Sequence, residues 1–385
     1  MQAYNKTELE NYFLAEEAEK LYVKKFLSKE RLEELKKKLN QLKFNNNILF
    51  RFLFFLLGIF LFSTVIGAFS VVLFSMGTER FEIMAFFYAI VAYVGLEILV
   101  KMKFFRHGLD DSFIIIAQIA FLIGVGIASE SPFPVFVFMI ILGLFFAIRF
   151  MHTISAVFAY IGLLGLFVFA ILENDLLPKF YLSFFCFIIA VVVYLTAVYF
   201  RKNQNLYPYF KTLDVIRMLT LLLGYLAVNY LVVREIASEL MDLDVSLESD
   251  IPFAVIFYCL TFLIPLVYFF FGIKRKDKII LYAGLITLVL GYSSIRYYYS
   301  ILPLEYVMVI GGILLFGLAY FSIQILKNKT EGVTFKPDRD TNNSFLLNAQ
   351  VLLTVANATT PPPANSSPMD FGGGGFSGGG AGEKF

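Results

Sequence analysis

Tryptophan is absent from the 385 residues, cysteine and histidine occur twice each, and charged side chains make up 16%, against about 25% in an ordinary soluble domain. Each shortage removes a class of function. Cys186 and Cys259 both fall within apolar runs, so they read as inert buried thiols and not as a disulfide framework or a thiolate metal centre. His107 and His152 stand apart from any ligand cluster, which argues against a zinc site. No HExxH, GxSxG, phosphate-binding loop or GxGxxG opening a βαβ unit occurs, so no catalytic class is indicated and neither cofactor nor metal is expected. The basic residues are dispersed along the chain, a pattern unlike a nucleic-acid-binding surface.

What the chain has instead is apolar length. Apolar residues make up 59%, including 46 Phe, and the mean hydropathy is +0.75. They lie in long blocks such as 113–126 and 180–200, and a block near 20 residues at a 1.5 Å rise matches a hydrocarbon layer about 30 Å thick. The reading is an all-α polytopic membrane protein of about ten transmembrane helices, over 52–75, 82–100, 112–129, 134–148, 153–172, 180–200, 213–233, 253–273, 279–297 and 304–326. Around Arg149 to His152 the fourth and fifth blocks could instead form one broken helix with a re-entrant piece. Without Trp, tyrosines such as Tyr199, Tyr207, Tyr209, Tyr230 and Tyr297 must supply the interfacial anchors.

Sorting charges by alternate loops gives an orientation. One side collects Lys101, Lys103, Arg106, Arg149, Arg201, Lys202, Lys211, Lys274, Arg275, Lys276 and Lys278. The other holds only Arg80, Lys179, Arg234 and Arg296 among basic residues, with acidic Glu130, Glu173, Asp175 and a run from Glu235 to Asp250. Basic short loops resist translocation, so the amino terminus is expected in the cytoplasm, and an even count returns the carboxyl terminus there too. The first 45 residues are polar and unlike a cleavable leader.

Three parts follow: a helical headpiece (1–50), a bundle (51–326) and a cytoplasmic tail (327–385). In the headpiece, Thr7 can cap a helix reaching Lys25 and Ser28 one reaching about Lys43. Leu9, Phe13, Ala18, Leu21 and Tyr22, then Leu32, Leu35, Leu39 and Leu42, supply their apolar faces. Lys36, Lys37, Lys38 and Lys43 either contact anionic headgroups, at about 1 kcal/mol for each basic residue near the surface, or form a solvated face. The tail is a flexible linker ending in a glycine tract punctuated by Phe371, Phe376 and Phe385, which could be captured by a protein partner. Its apolar stretch 345–356 is too short to span.

Ionisable groups near hydrocarbon invite a functional question, because each costs about 2.5–3.5 kcal/mol at a helix centre on insertion scales. Glu97 can pair with Lys101 one turn on, and Arg217 with Asp214. Arg149 and His152 occupy a turn, and His152, with no acidic neighbour in sequence, is of the type that titrates near neutrality. Arg296 and Glu305 could pair across the connection that ends at Pro303. Asp110 and Asp111 form a carboxylate pair in a loop after Arg106 and His107, and Pro265 is a possible kink or gate.

The stretch "EEAEKLYVKKFLSKERLEEL" leading to "FLLGIFLFSTVIGAFSVVL" resembles an uncharacterised family of multi-pass bacterial membrane proteins, a domain of unknown function with a short helical cytoplasmic headpiece. The ending "GGGGFSGGGAGEKF" is similar to tails of some TPM-domain proteins. The resemblance implies a bacterial inner membrane and supplies no catalytic residues. Two functions fit: a non-enzymatic scaffold or accessory protein binding lipids and partners through 1–45 and 328–385, or a secondary transporter of small solutes laid out as five plus five helices.

Overall fold

The computed structural model describes residues 2–23, 27–39, 42–45, 47–75, 80–173, 179–241, 250–298 and 304–329. Among them there is no β-strand, and the α-helices run α1 (Lys6–Val23), α2 (Lys29–Lys38), α3 (Ile48–Ser75), α4 (Phe81–Lys101), α5 (Leu109–Ser129), α6 (Pro132–Phe150), α7 (Thr153–Glu173), α8 (Leu182–Arg201), α9 (Phe210–Val228), α10 (Tyr230–Met241), α11 (Ala254–Arg275), α12 (Lys278–Tyr298) and α13 (Leu304–Leu326). Seven of these, α3 to α8 and α11, are long and apolar enough to cross a membrane, and the bent pair of α9 and α10 brings the number to as many as eight. The chain is thus all-α and multi-pass in character.

Consecutive helices pack as hairpins: α4 with α5, α6 with α7, α8 with α9, and α11 with α12, while α3 lies on α5 and α9 touches α7, α11 and α12. The break-or-hairpin question at 149–152 has a clear outcome. Ser131 caps α6 and Pro132 opens it, the chain turns at Met151 with φ 54°, and α7 returns antiparallel. Gly143 permits that close return, since a Cβ there would meet Ser155 O and Ala159 N at 2.7 Å. Among the described residues, nothing lies within 4 Å of where a Cβ would stand at Gly311, Gly312 or Gly317 of α13.

The headpiece differs from its sequence reading in two ways. Asn5, not Thr7, caps α1, its Oδ1 accepting the Thr7 N–H at 3.0 Å. Ser28 does cap α2, but α2 stops at Lys38, short of Lys43. Residues 42–45 pair instead with the α4–α5 loop: Lys43 N donates to Lys103 O (2.7 Å) and Phe105 N to Lys43 O (2.9 Å). The buried face of α1 is Leu9, Tyr12, Ala15 and Ala18, while Leu21 and Tyr22 are exposed.

The expected seventh span, 213–233, is broken. α9 and α10 meet at a 64° bend around Asn229, whose ψ of 128° leaves the helix. In a continuous helix Tyr230 N–H would donate to Leu226 O; here Asn229 N–H takes that carbonyl at 3.3 Å, and Tyr230 N–H goes to Thr261 Oγ1 at 2.9 Å. Thr261 is also the residue whose carbonyl Pro265 cannot satisfy, and Tyr225 Oη donates to it at 3.3 Å. Asn229 Nδ2 donates to Tyr225 Oη (2.9 Å), and Ser294 Oγ donates to Asn229 Oδ1 (2.9 Å). Pro265 therefore does not break α11, and Tyr230, expected at the interface, is buried and stacked on Tyr258 at 3.8 Å. Replacing Thr261 by Val orphans the Tyr230 N–H and should cost about 1–3 kcal/mol, whereas Thr261→Ser should hold. Thermal unfolding of both variants in one detergent checks this; equal midpoints would mean the hydroxyl does not secure the bend.

Candidate functional site

The α4–α5 loop is shaped by a single carboxylate. Lys103, Arg106 and Gly108 have φ of 68°, 50° and 109°, a run that an ordinary side chain resists. Asp110 holds it by accepting the N–H groups of Arg106 (2.7 Å), His107 (2.9 Å) and Gly108 (3.0 Å). Gly108 is required twice over, because a Cβ would also lie 2.2 Å from Arg51 O. Asp110 and Asp111 are thus not loop residues, as the sequence reading has them, but the first turn of α5, where carboxylates complement the helix dipole.

Asp111 faces across to α3, whose Arg51 donates to it through Nε (2.6 Å) and Nη2 (2.8 Å). On its other side is His152, with Nε2 at 3.5 Å. The histidine has an acidic neighbour after all, in space and not in sequence. Its Nδ1 accepts Ser155 N–H (3.2 Å) and lies 2.8 Å from Ser155 Oγ, which in turn accepts from Gln118 Nε2 at 2.7 Å. With Nδ1 an acceptor, the neutral ring carries its proton on Nε2. Burial pushes the His152 pKa down to about 4, Asp111 opposing the shift and Arg51 and Arg106 adding to it. It does not titrate near neutrality.

These groups line a cavity of about 380 Å³ together with Arg106, Lys211 and apolar residues of α3 and α7, a volume in the range of small-molecule sites. The acids are matched within the protein, Asp111 by Arg51 and Asp110 by three N–H groups. Among the described residues, Lys211 makes no ion pair, and Arg106 Nη2 and His152 Nε2 are buried with no hydrogen-bond partner. The cavity therefore presents donors in excess of acceptors. The headpiece covers this end: Tyr4 and Tyr12 pack edge-on to Phe105 at 4.9 and 5.0 Å, Glu8 pairs with Lys103, and Ala3 N donates to Arg149 O. Burial raises the pKa of both tyrosines.

The remaining expected residues form separate pairs. Glu97 binds Arg149 at 2.7 Å and Tyr93 Oη at 2.8 Å; its partner is on α6 and is not Lys101, because tertiary packing offers a guanidinium with fixed geometry. Arg217 joins Asp214 (3.2 Å), as its spacing implies, and also Asp277 before α12. Arg296 is half-buried on α12, while the Glu305 side chain, the 345–356 segment and Phe371, Phe376 and Phe385 lie outside the described residues. Arg51, Lys211 and Gln118 are cavity or supporting residues that the sequence reading did not single out.

Two outcomes follow. Asp111→Asn strands the Arg51 charge, at a cost below the roughly 3–5 kcal/mol of a fully buried broken pair, because the Arg51 side chain keeps 32% exposure. Arg51→Met with Asp111→Leu should recover most of it, and a double as unstable as the single would refute the pairing argument. Between pH 6.5 and about 4 the unfolded chain takes a proton that folded His152 refuses, so stability should fall with falling pH by about 1.4 kcal/mol per unit. His152→Gln should show a shallower slope in that window and no difference in slope above it. No family model matches the chain, and no curated protein or solved structure matches it either.

Proposed function

We propose that the chain is a ten-span protein of a bacterial inner membrane with both termini cytoplasmic, and that it works as a secondary transporter of small solutes loaded through the cavity at Arg51, Asp111 and His152. The observation that carries this is the burial of charged and hydrogen-bonding groups around a cavity between helices. Such groups are costly beside hydrocarbon and mark ligand or ion pathways. Two further features support it. The ends that meet at the cavity belong to the basic set of loops, the set that resists translocation. The interrupted α9–α10 helix is a feature transporters use near the middle of the bilayer.

The accessory reading needs surfaces free to bind. One apolar face of the headpiece, Tyr4, Leu9 and Tyr12, packs into the core cluster with Phe105 and Phe150, which leaves that reading the exposed Leu14, Leu21, Tyr22, Val23 and Leu35 and the tail, none of which gives a reason for a charged cavity. Transport is therefore the reading preferred.

Reconstituted full-length protein, exposed on a solid-supported membrane to jumps of small carboxylates, inorganic phosphate and single-chain phosphates, should give a saturable response to at least one of them. Lys211→Gln should weaken it tenfold or more. A panel with no response above empty liposomes would sink the transport reading. For orientation, with Cys186 and Cys259 replaced by Ala, a cysteine at Glu130 should react with an impermeant maleimide in intact cells and one at Lys276 only after lysis; the reverse pattern would overturn the topology.

A further inference from the structure

The cavity has two unlike walls. Its charged and polar lining includes Arg51, Asp110 and Asp111 with Arg106, Lys211 and His152, the last three from separate elements: the α4–α5 loop, the start of α9 and the α6–α7 turn. Its outer wall is Ile48, Phe52 and Phe55 on α3 with Ile154 on α7. Of these, Ile48, Phe52 and Ile154 remain exposed on the outside of the bundle, the side that faces lipid in a membrane-embedded chain. Polar groups and lipid-facing apolar side chains thus line one cavity.

The inner end selects charge and shape. With Asp110 and Asp111 matched, the donors left over are the buried Arg106 Nη2, the His152 Nε2–H, which faces Asp111 Oδ1 at 3.5 Å without a hydrogen bond, and the exposed Lys211 ammonium at the rim. His152 is only 4% exposed, and Ser155 and Gln118 fix its ring so that Nε2–H stays a donor. Three donors on three separate elements suit an oxyanion with at least three acceptor oxygens better than a planar carboxylate with two. Buried donors without a protein acceptor favour an anionic occupant.

We infer that the cavity binds a phosphate group belonging to an amphiphile, the phosphate taken by Arg106, His152 and Lys211 and the apolar chain laid along Phe52, Phe55 and Ile154. This rests on the reading of the cavity as the solute site and names its substrate class. A headgroup phosphate at a membrane boundary and free phosphate share the same head chemistry. Only the amphiphile also uses the outer wall, where each methylene buried adds about 0.8 kcal/mol.

The test is calorimetric binding to the full-length protein in phosphatidylcholine nanodiscs, with empty discs as the blank and hexyl phosphate and inorganic phosphate as probes. Hexyl phosphate should bind saturably and at least tenfold tighter than inorganic phosphate. Lys211→Glu, at the exposed rim where folding is least disturbed, should weaken it at least tenfold, and so should Arg106→Gln. Equal affinity for the two probes would assign the site to free phosphate and overturn the inference. Binding indifferent to both substitutions, or absent, would overturn it as well. Saturable binding without flux would refute transport while leaving this inference standing, and flux without phosphate binding would do the opposite.

Discussion

An unmatched carboxylate beside an apolar layer costs several kcal/mol, and the shape of one end of the bundle follows from how two adjacent ones are matched. Asp110 turns inward along its own chain and gathers three backbone N–H groups, which holds a loop with two non-glycine residues at positive φ. Asp111 turns across the bundle and fixes Arg51 of α3. α3 packs mainly on α5, with Ser70 and Phe69 reaching Tyr88 and Phe87 of α4 at its far end, so this ion pair fixes the near end of α3. The loop in turn supplies the backbone edge on which residues 42–45 pair, and Phe105, at the loop's centre, is the ring on which Tyr4 and Tyr12 rest. Headpiece, loop and first helix are thus ordered by one turn of α5.

At the α9–α10 bend the other half of the bundle meets the same dielectric constraint with neutral groups. Tyr225, Asn229, Thr261 and Ser294 are buried and neutral, and they answer the backbone groups freed by two imperfections, the bend at Asn229 and the proline at Pro265. Either imperfection alone would leave an orphan donor or acceptor. Together they cancel through Thr261, whose hydroxyl serves α10 and whose carbonyl serves Tyr225. Charge appears in this half at its two ends: Arg217 bridges Asp214 and Asp277 at the end shared with the cavity, and Arg234 donates to Tyr230 Oη, which lies 2.8 Å from Asp250, at the other.

Helix positions were legible because hydrocarbon length and apolar composition leave little freedom, and α3 to α9 and α11 to α13 each fall on an expected block. Local pairs at helical spacing were legible too, as Arg217 with Asp214. Contacts between distant segments were not. Nothing in the sequence around His152 points to Asp111, or around Glu97 to Arg149, 52 residues away. The break at Asn229 escaped because its compensating partner, Thr261, lies on another helix, and an apolar run with one Asn reads as continuous. Asp110 and Asp111 after "RHGL" did carry a start signal, acids in a first turn after glycine, and reading that signal as a helix start would have placed both in the first turn of α5, though not beside Arg51.

The distribution of links across the bundle also constrains how the cavity can open. Arg51 cannot leave Asp111 without stranding two charges, and Gln118, Ser155 and His152 tie α5 to α7, so α3 to α7 hold together at this end. Toward α9 the links are of a weaker kind: Thr153 Oγ1 to Thr212 Oγ1 at 3.0 Å, Tyr209 Oη to Ile148 O at 2.8 Å, and the apolar contacts of Tyr160, Ala197 and Ile216. Neutral hydrogen bonds contribute only about 1 kcal/mol net each, and water can replace them at an exposed end. Lys211 sits on the α9 side of this seam while Arg106 and His152 sit on the other. Lys211 and the donors inside thus lie on opposite sides of a boundary that, among the described residues, no ion pair crosses.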